Sequence, residues 1–164
     1  MTTVLFTACS NKSQTVHDEA AKQQEIDYTV DRFADIEILR YEVPVFEALT
    51  LQQKQLLYHL SEAALMGRDM LFDQNCRYNL AIRRSLEAVY QEYKGDRNDA
   101  QFKALETYLK RVWLANGIHH HYAEDKFEPT GLTPEFFAEC IRQVDAARLP
   151  LRDGQSVEQW LEEI

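Results

Sequence analysis

A chain of 164 residues fits one domain able to bury a core of its own, and 45% hydrophobic with 27% charged content is ordinary for a globular protein. A formal charge of −9 speaks against nucleic acid as a partner, since binding phosphates requires a basic face. No apolar run is long enough to span a bilayer.

Residues 4–9 read V-L-F-T-A-C, ending at Cys9, and are followed by S-N-K-S-Q. This resembles the end of a bacterial lipoprotein signal, which makes Cys9 a lipidation candidate and gives the protein a possible membrane tether. The apolar part is short and no Lys or Arg precedes it, so the reading requires a true start upstream of Met1. On that reading the protein is a cell-envelope lipoprotein; otherwise it is cytoplasmic. Residues 1–27 are thus a signal remnant or polar tether, with only Val16 and Ile26 as large apolar residues after Cys9. Residues 28–164 form a helical region that reads as an incomplete domain.

Within residues 28–44 the apolar positions fit neither strict alternation nor a helical stripe, but residues 38–43 alternate well enough for an extended segment. Phe46 and Leu49 read as loop anchors. A helix is expected over residues 50–74, opened by a capping box of Thr50 and Gln53. Its buried face is Leu56, Leu60, Ala63, Ala64, Leu65, Met70 and Leu71, with Gly67 as an interruption. Arg68 and Asp69 suggest a surface or interhelical ion pair. Asn75 and Asn79 are possible caps in the polar turn that follows.

The next helix places Ile82, Leu86, Val89, Tyr90 and Tyr93 on one side and stops at Gly95. Another, over residues 99–116, buries Phe102, Leu105, Tyr108, Leu109, Val112 and Trp113. The segment E-P-T-G-L-T-P-E breaks regular structure, and Thr133, Pro134 and Glu135 open a helix burying Phe137, Cys140, Ile141 and Val144. Ser156 caps a last helix carrying Val157, Trp160 and Leu161. That pattern runs into Ile164 without a stop signal, as expected of a truncated chain. Cys9, Cys76 and Cys140 are widely spaced with no C-x-x-C, which indicates neither a disulfide framework nor a zinc ribbon. Cys76 and Cys140 read as buried or half-buried thiols.

The stretch built for more than packing is V-W-L-A-N-G-I-H-H-H-Y-A-E-D-K-F, residues 112–127. Three adjacent histidines on a helix fan out by roughly 100° per residue and cannot face one ion. In an extended segment His119 and His121 share a side, but zinc normally recruits three or four protein ligands. Gly117 ends or bends the helix and delivers the histidines to a loop or to the next short turn, and the plain reading is a polar strip at a helix end, partly exposed and supporting a surface or cleft.

This stretch resembles the N-terminal region of bacterial members of the dipeptidyl-peptidase III family of zinc metallopeptidases. The resemblance rests on N-G-I-H-H-H-Y followed by D-K-F, on R-F-A-D-I-E-I-L-R-Y-E-V-P at residues 32–44, and on L-S-E-A-A-L-M-G-R-D-M-L-F-D-Q-N at residues 60–75. It implies the opening portion of a two-lobed α+β enzyme that releases dipeptides from the amino end of oligopeptides, with zinc as cofactor of the whole protein. The family's zinc motif, H-E-x-x-G-H, does not occur in this chain. No catalytic role and no zinc is therefore expected for the chain alone. Its implied partners are the remainder of the peptidase and, through it, an oligopeptide. Asn116, His119, His121 and Tyr122 are the candidates for lining the substrate cleft.

Two other readings stand beside this one. The chain could be a self-sufficient acidic helical interaction protein, lipid-anchored through Cys9. A weaker alternative is a metal or pH sensor built on His119, His120 and His121, histidine being the side chain type that ordinarily serves as a switch near neutral pH.

Overall fold

The structure, a computed structural model, describes residues 26–120 and 122–164. It is mainly helical with one short antiparallel hairpin, the fold class the sequence predicts.

Strand β1 (Thr29–Phe33) pairs with β2 (Ile36–Leu39), with Thr29 opposite Leu39 and Phe33 opposite Ile36. The tight turn between them holds Ala34 at φ 50, a left-handed conformation usually left to Gly or Asn. The extended segment expected at residues 38–43 therefore lies earlier. Pairing ends at Leu39 apart from one further bond, Arg40 N–H to the Tyr28 carbonyl (2.9 Å), before a 3-10 turn at Pro44–Phe46. Among the described residues the alternating run after Leu39 has no strand to pair with.

A two-stranded hairpin is marginal in water by itself. Here it is fastened to helix α4 (Ala100–Ala115) by ion pairs from Lys110 to Asp31 (2.9 Å) and from Arg111 to Asp35. Lys110 also lies 5.4 Å from the centre of the Phe33 ring. The hydrogen bond from Lys110 holds the Asp31 carboxyl below its ordinary 3.8. Asp35 is lowered by its own backbone N–H first and by Arg111 second.

A depressed folded pKa means the contribution is whole above the ordinary carboxylate value and is lost as pH falls through the folded one. Hairpin amides should therefore exchange with solvent faster below pH ~3.8 while the α4 amides stay protected. Hydrogen exchange followed against pH checks this, and pH-independent hairpin protection would refute it.

Helices α1 (Leu51–Met66) and α2 (Arg68–Asn75) replace the single helix expected at residues 50–74. The capping box is present: Thr50 Oγ1 accepts from Gln53 N–H at 3.3 Å, and Gln53 Oε1 from Thr50 N–H at 2.9 Å. Gly67 divides the two helices, but the expected buried face is not buried. Leu56, Leu60 and Leu65 are 58%, 56% and 56% exposed, and Met70 and Leu71 are exposed as well. The inward anchor is Phe72 of α2.

The apolar stripe exists in α1; what is missing among the described residues is a surface to receive it. Leu51, Leu57, Tyr58 and Met66 add apolar surface on its other sides. A helix apolar on several sides belongs in an interior. Replacing Leu60 with Gln should change unfolding free energy by less than about 0.5 kcal/mol, whereas Leu109→Ala in the core should cost about 2–5 kcal/mol. Urea titration of the two variants decides, and a large loss in Leu60→Gln would mean that α1 is covered.

The core lies among α2, α3 (Asn79–Glu92), α4 and α5 (Pro134–Gln143). Leu86 and Val89 of α3 meet Leu105, Leu109 and Val112 of α4 and Ile141 of α5, all essentially inaccessible. Each helix begins where the sequence carries an oxygen to satisfy its first amides. Asp99 accepts from Gln101 and Phe102 N–H, Thr133 accepts from Phe136 N–H, and Ser156 with Gln159 forms a capping box at α6 (Val157–Glu163). The exceptions are α2, which follows Gly67 directly with no side-chain cap, and α3. Neither Asn75 nor Asn79 caps it; Tyr78 precedes the first turn with no side-chain bond, and Asn79 is inside.

Tyr93 stacks on Phe102 with ring centres 4.4 Å apart, so these aromatics serve the core as expected. Trp113 does not. It is 42% exposed, and its indole N–H donates to Glu87 Oε1 at 2.7 Å. Cys76 is partly buried and Cys140 buried, both free thiols, and burial pushes the Cys140 thiol up to about 11. Among the described residues no helix is long and apolar enough to cross a membrane.

Candidate functional site

Helix α4 ends at Asn116, which adopts the left-handed conformation (φ 56, ψ 36) and sends its backbone N–H to the Val112 carbonyl. This is a helix C-cap, so the structural task of Asn116 is to turn the chain out of α4. Gly117 follows at φ +155, and its own N–H also reaches the Val112 carbonyl at 3.1 Å. A Cβ at this glycine would fall 2.3 Å from Asn79 Nδ2, closer than any side chain can come.

Asn79 is fully buried at the start of α3, and its Oδ1 accepts the Ile118 N–H at 3.1 Å. The side-chain amide thus supplies the partner that Ile118, itself buried, would otherwise lack. Asn79 Nδ2 has no hydrogen-bond partner among the described residues.

From Ile118 the chain runs out and back as a narrow loop. Phe127 N–H donates to the Ile118 carbonyl (2.8 Å), His119 and Lys126 form an antiparallel bridge, and His120 N–H donates to the Asp125 carbonyl (2.9 Å). His119 and His120 are therefore on an extended arm rather than a helix, one of the two outcomes expected after Gly117. Successive side chains on such an arm leave on opposite sides.

His119 is partly buried, with Nδ1 inaccessible and unpartnered among the described residues. His120 is exposed; its Nδ1 accepts from Tyr122 N–H (3.3 Å), and its ring lies 6.0 Å from that of Phe127. Tyr122 stands at the tip, 87% exposed. Of the four lining candidates, Asn116 and His119 occupy the partly buried base, Tyr122 the tip, and His121 lies outside the described residues, as does Cys9.

Among the described residues no group of three or more His, Cys, Asp or Glu side chains is arranged to hold a metal ion. A zinc site needs three or four converging donors, so these residues do not fit that metal.

The structure adds a feature the sequence did not indicate. Between the hairpin turn at Ala34, the outer face of α4 and the return arm of the loop is a cleft of about 380 Å³. Tyr108 and Phe127 supply apolar walls; Arg111, Lys126 and Glu128 bring charge. The Arg111 guanidinium lies 5.6 Å from the Phe127 ring centre and is steered by Asp35. Burial, with help from the Glu128 charge, pushes the Tyr108 phenol up to about 12 and keeps it neutral. Tyr108 and Arg111, three apart in α4, share a face. That spacing was the available signal, masked because Tyr108 also fits the core stripe.

The other flagged pair, Arg68 and Asp69, resolves differently. Asp69 pairs with Arg83 (2.8 Å) and Arg84 (3.0 Å) of α3 rather than with exposed Arg68. Arg83, 9% exposed, also reaches Glu87 (3.3 Å) and lies 4.6 Å from the Phe72 ring centre. Its contacts to Asp69 and Glu87 miss hydrogen-bond geometry, so they act as ion pairs. This network joins α2, α3 and, through Trp113, α4.

No protein-family model matches the chain, and no curated protein matches it at a significant level.

Proposed function

We propose that the chain is the N-terminal helical part of a dipeptidyl-peptidase III-like zinc exopeptidase, contributing scaffold and cleft wall rather than the reacting centre. Three separated segments carry the resemblance in the family's order, and their placement supports it. The first holds the hairpin turn and β2, and the third the histidine loop, so both border the same cleft. The second covers the end of α1 and all of α2, beside apolar surface that a larger body would cover.

That uncovered surface of α1 is the observation that carries the reading. Nine large apolar side chains of α1 and α2, Leu51 through Leu71, are at least 43% exposed. Exposed contiguous apolar patches on this scale mark docking surfaces. In such an enzyme zinc polarises the scissile carbonyl and lowers the pKa of its bound water. The donors for that ion come from outside the described residues.

The encoding DNA gives the direct test. A reading frame that continues past Ile164 into H-E-x-x-G-H is expected, and an in-frame stop at that point would refute the proposal. The alternative of a self-sufficient interaction protein is favoured by the closed core of α2 to α5. It requires the isolated chain to melt cooperatively as a monodisperse species without binding hydrophobic dyes.

A further inference from the structure

We propose that a second cleft, between the turn that opens α3, the loop at Pro150 and Arg152 and the last turn of α6, binds a small phosphate monoester. It shares no lining residue with the cleft beside the hairpin, so the inference stands whether or not the peptidase reading does.

The cleft volume, about 350 Å³, leaves room for a small organic molecule rather than a bare ion and falls within the roughly 300–1,000 Å³ of ligand pockets. Part of its lining is apolar. Ala81, Pro150 and Trp160 supply it, and the Trp160 indole N–H is already given to Ser85, so the ring adds apolar surface and no free donor. The charged lining is Arg77, Arg152 and Glu163.

These charges are unequally spent. Glu163 accepts from a terminal nitrogen of Arg152 and, at 2.8 Å, from Gln155 Nε2. Arg77 lies 4.5 Å from the centre of the Tyr78 ring and gives one terminal nitrogen to the Tyr78 hydroxyl. It is exposed and forms no ion pair among the described residues. Two guanidinium groups thus share one carboxylate, in a chain whose formal charge is −9. Each commits one terminal nitrogen, and the rest of each planar fork remains for an oxyanion.

Glu163 selects among oxyanions. A carboxylate has about four acceptor positions, so Glu163 can take a further hydrogen bond. A carboxylate or sulfate-ester ligand has no proton to offer there and meets only repulsion. A phosphate monoester, whose second pKa is about 6, carries an O–H in its monoanionic form. That hydroxyl can donate to Glu163 while the other oxygens accept from Arg77 and Arg152, and the organic body then rests on Trp160 and Pro150.

The test is isothermal titration calorimetry of the full 164-residue chain at about pH 6 with phenyl phosphate, inorganic phosphate and phenyl sulfate. Saturable binding of phenyl phosphate is expected, with inorganic phosphate several-fold weaker and phenyl sulfate weaker by about tenfold or more. Arg77→Met should weaken phenyl phosphate by about tenfold or more. Lys103→Met, which removes an exposed charge of α4 outside the cleft, should leave it unchanged. Glu163→Gln should bind phenyl sulfate more tightly than the parent chain and lose the preference for phosphate. Circular dichroism of each variant establishes that it folds, and Arg77→Lys, expected to bind several-fold more weakly, serves if Arg77→Met does not. No saturable heat up to about 10 mM, equal affinity for the phosphate and sulfate esters, or a loss in Lys103→Met as large as that in Arg77→Met would each overturn the proposal.

Discussion

Replacing Trp160 with Ala should lower the unfolding free energy by about 3–5 kcal/mol, a large share of what a domain of this size possesses. Trp160 is 2% exposed, yet it belongs to α6, a helix of seven residues. A helix that short does not hold in water on its own propensity. Its place depends on the indole, whose Nε1–H donates to the buried Ser85 hydroxyl at 3.0 Å across to α3. Truncation removes the largest fully buried side chain and leaves Ser85 without its donor. Trp160→Phe separates the two effects: it keeps most of the apolar volume and forfeits the hydrogen bond, at about 1–3 kcal/mol. Combined with Ser85→Ala, it should cost less than the sum of the two single changes. Urea unfolding followed by circular dichroism measures all of these. A loss below 1 kcal/mol in Trp160→Ala would make α6 an ornament rather than a part of the core.

Gly117→Ala should cost about 2–4 kcal/mol, because two penalties coincide. The added methyl would lie 2.3 Å from Asn79 Nδ2, and the backbone at φ +155 suits glycine. Asn79 cannot yield freely, since it is fully buried and its Oδ1 holds the Ile118 N–H. Asn79→Ala removes the obstacle but orphans that buried N–H, so it is destabilising alone by about 1–3 kcal/mol. The double variant should be markedly less damaged than the sum of the singles. Additive losses would place the origin of the Gly117 effect in backbone conformation and not in the amide contact. Loss of amide protection at His120 and Phe127 in Gly117→Ala would locate the damage in the loop.

The helical class, the cap residues Thr50, Thr133 and Ser156, and the core role of Leu86, Val89, Leu105 and Leu109 were all legible in the sequence. Periodicity and capping are local, and local patterns survive in a string of letters. What was not legible depends on what lies opposite. The stripe of Leu56, Leu60 and Leu65 has the spacing of a buried face, but spacing does not supply a neighbour, and these residues are exposed. Trp113 fits the α4 core stripe and instead leans on Glu87.

Asn79 presented itself as a cap because Asn is common there; only the distant Ile118 amide explains why it is buried. The cleft was hidden for the same reason. Ala34, Arg111 and Glu128 come from three segments, and the segment after Phe127 read only as a breaker of structure. The histidines drew attention by their rarity, whereas the chemistry nearest them belongs to Arg111, Lys126 and Phe127.

The proposed function divides the labour: this chain would supply walls and docking surface, and the metal that cleaves a peptide would be held elsewhere. The most direct test is to purify the 164-residue chain, dialyse it against zinc, measure bound metal, and assay a dipeptidyl-arylamide substrate with and without a chelator. The account predicts substoichiometric zinc and no chelator-sensitive release of arylamine. One zinc per chain together with chelator-sensitive release of dipeptides would contradict it.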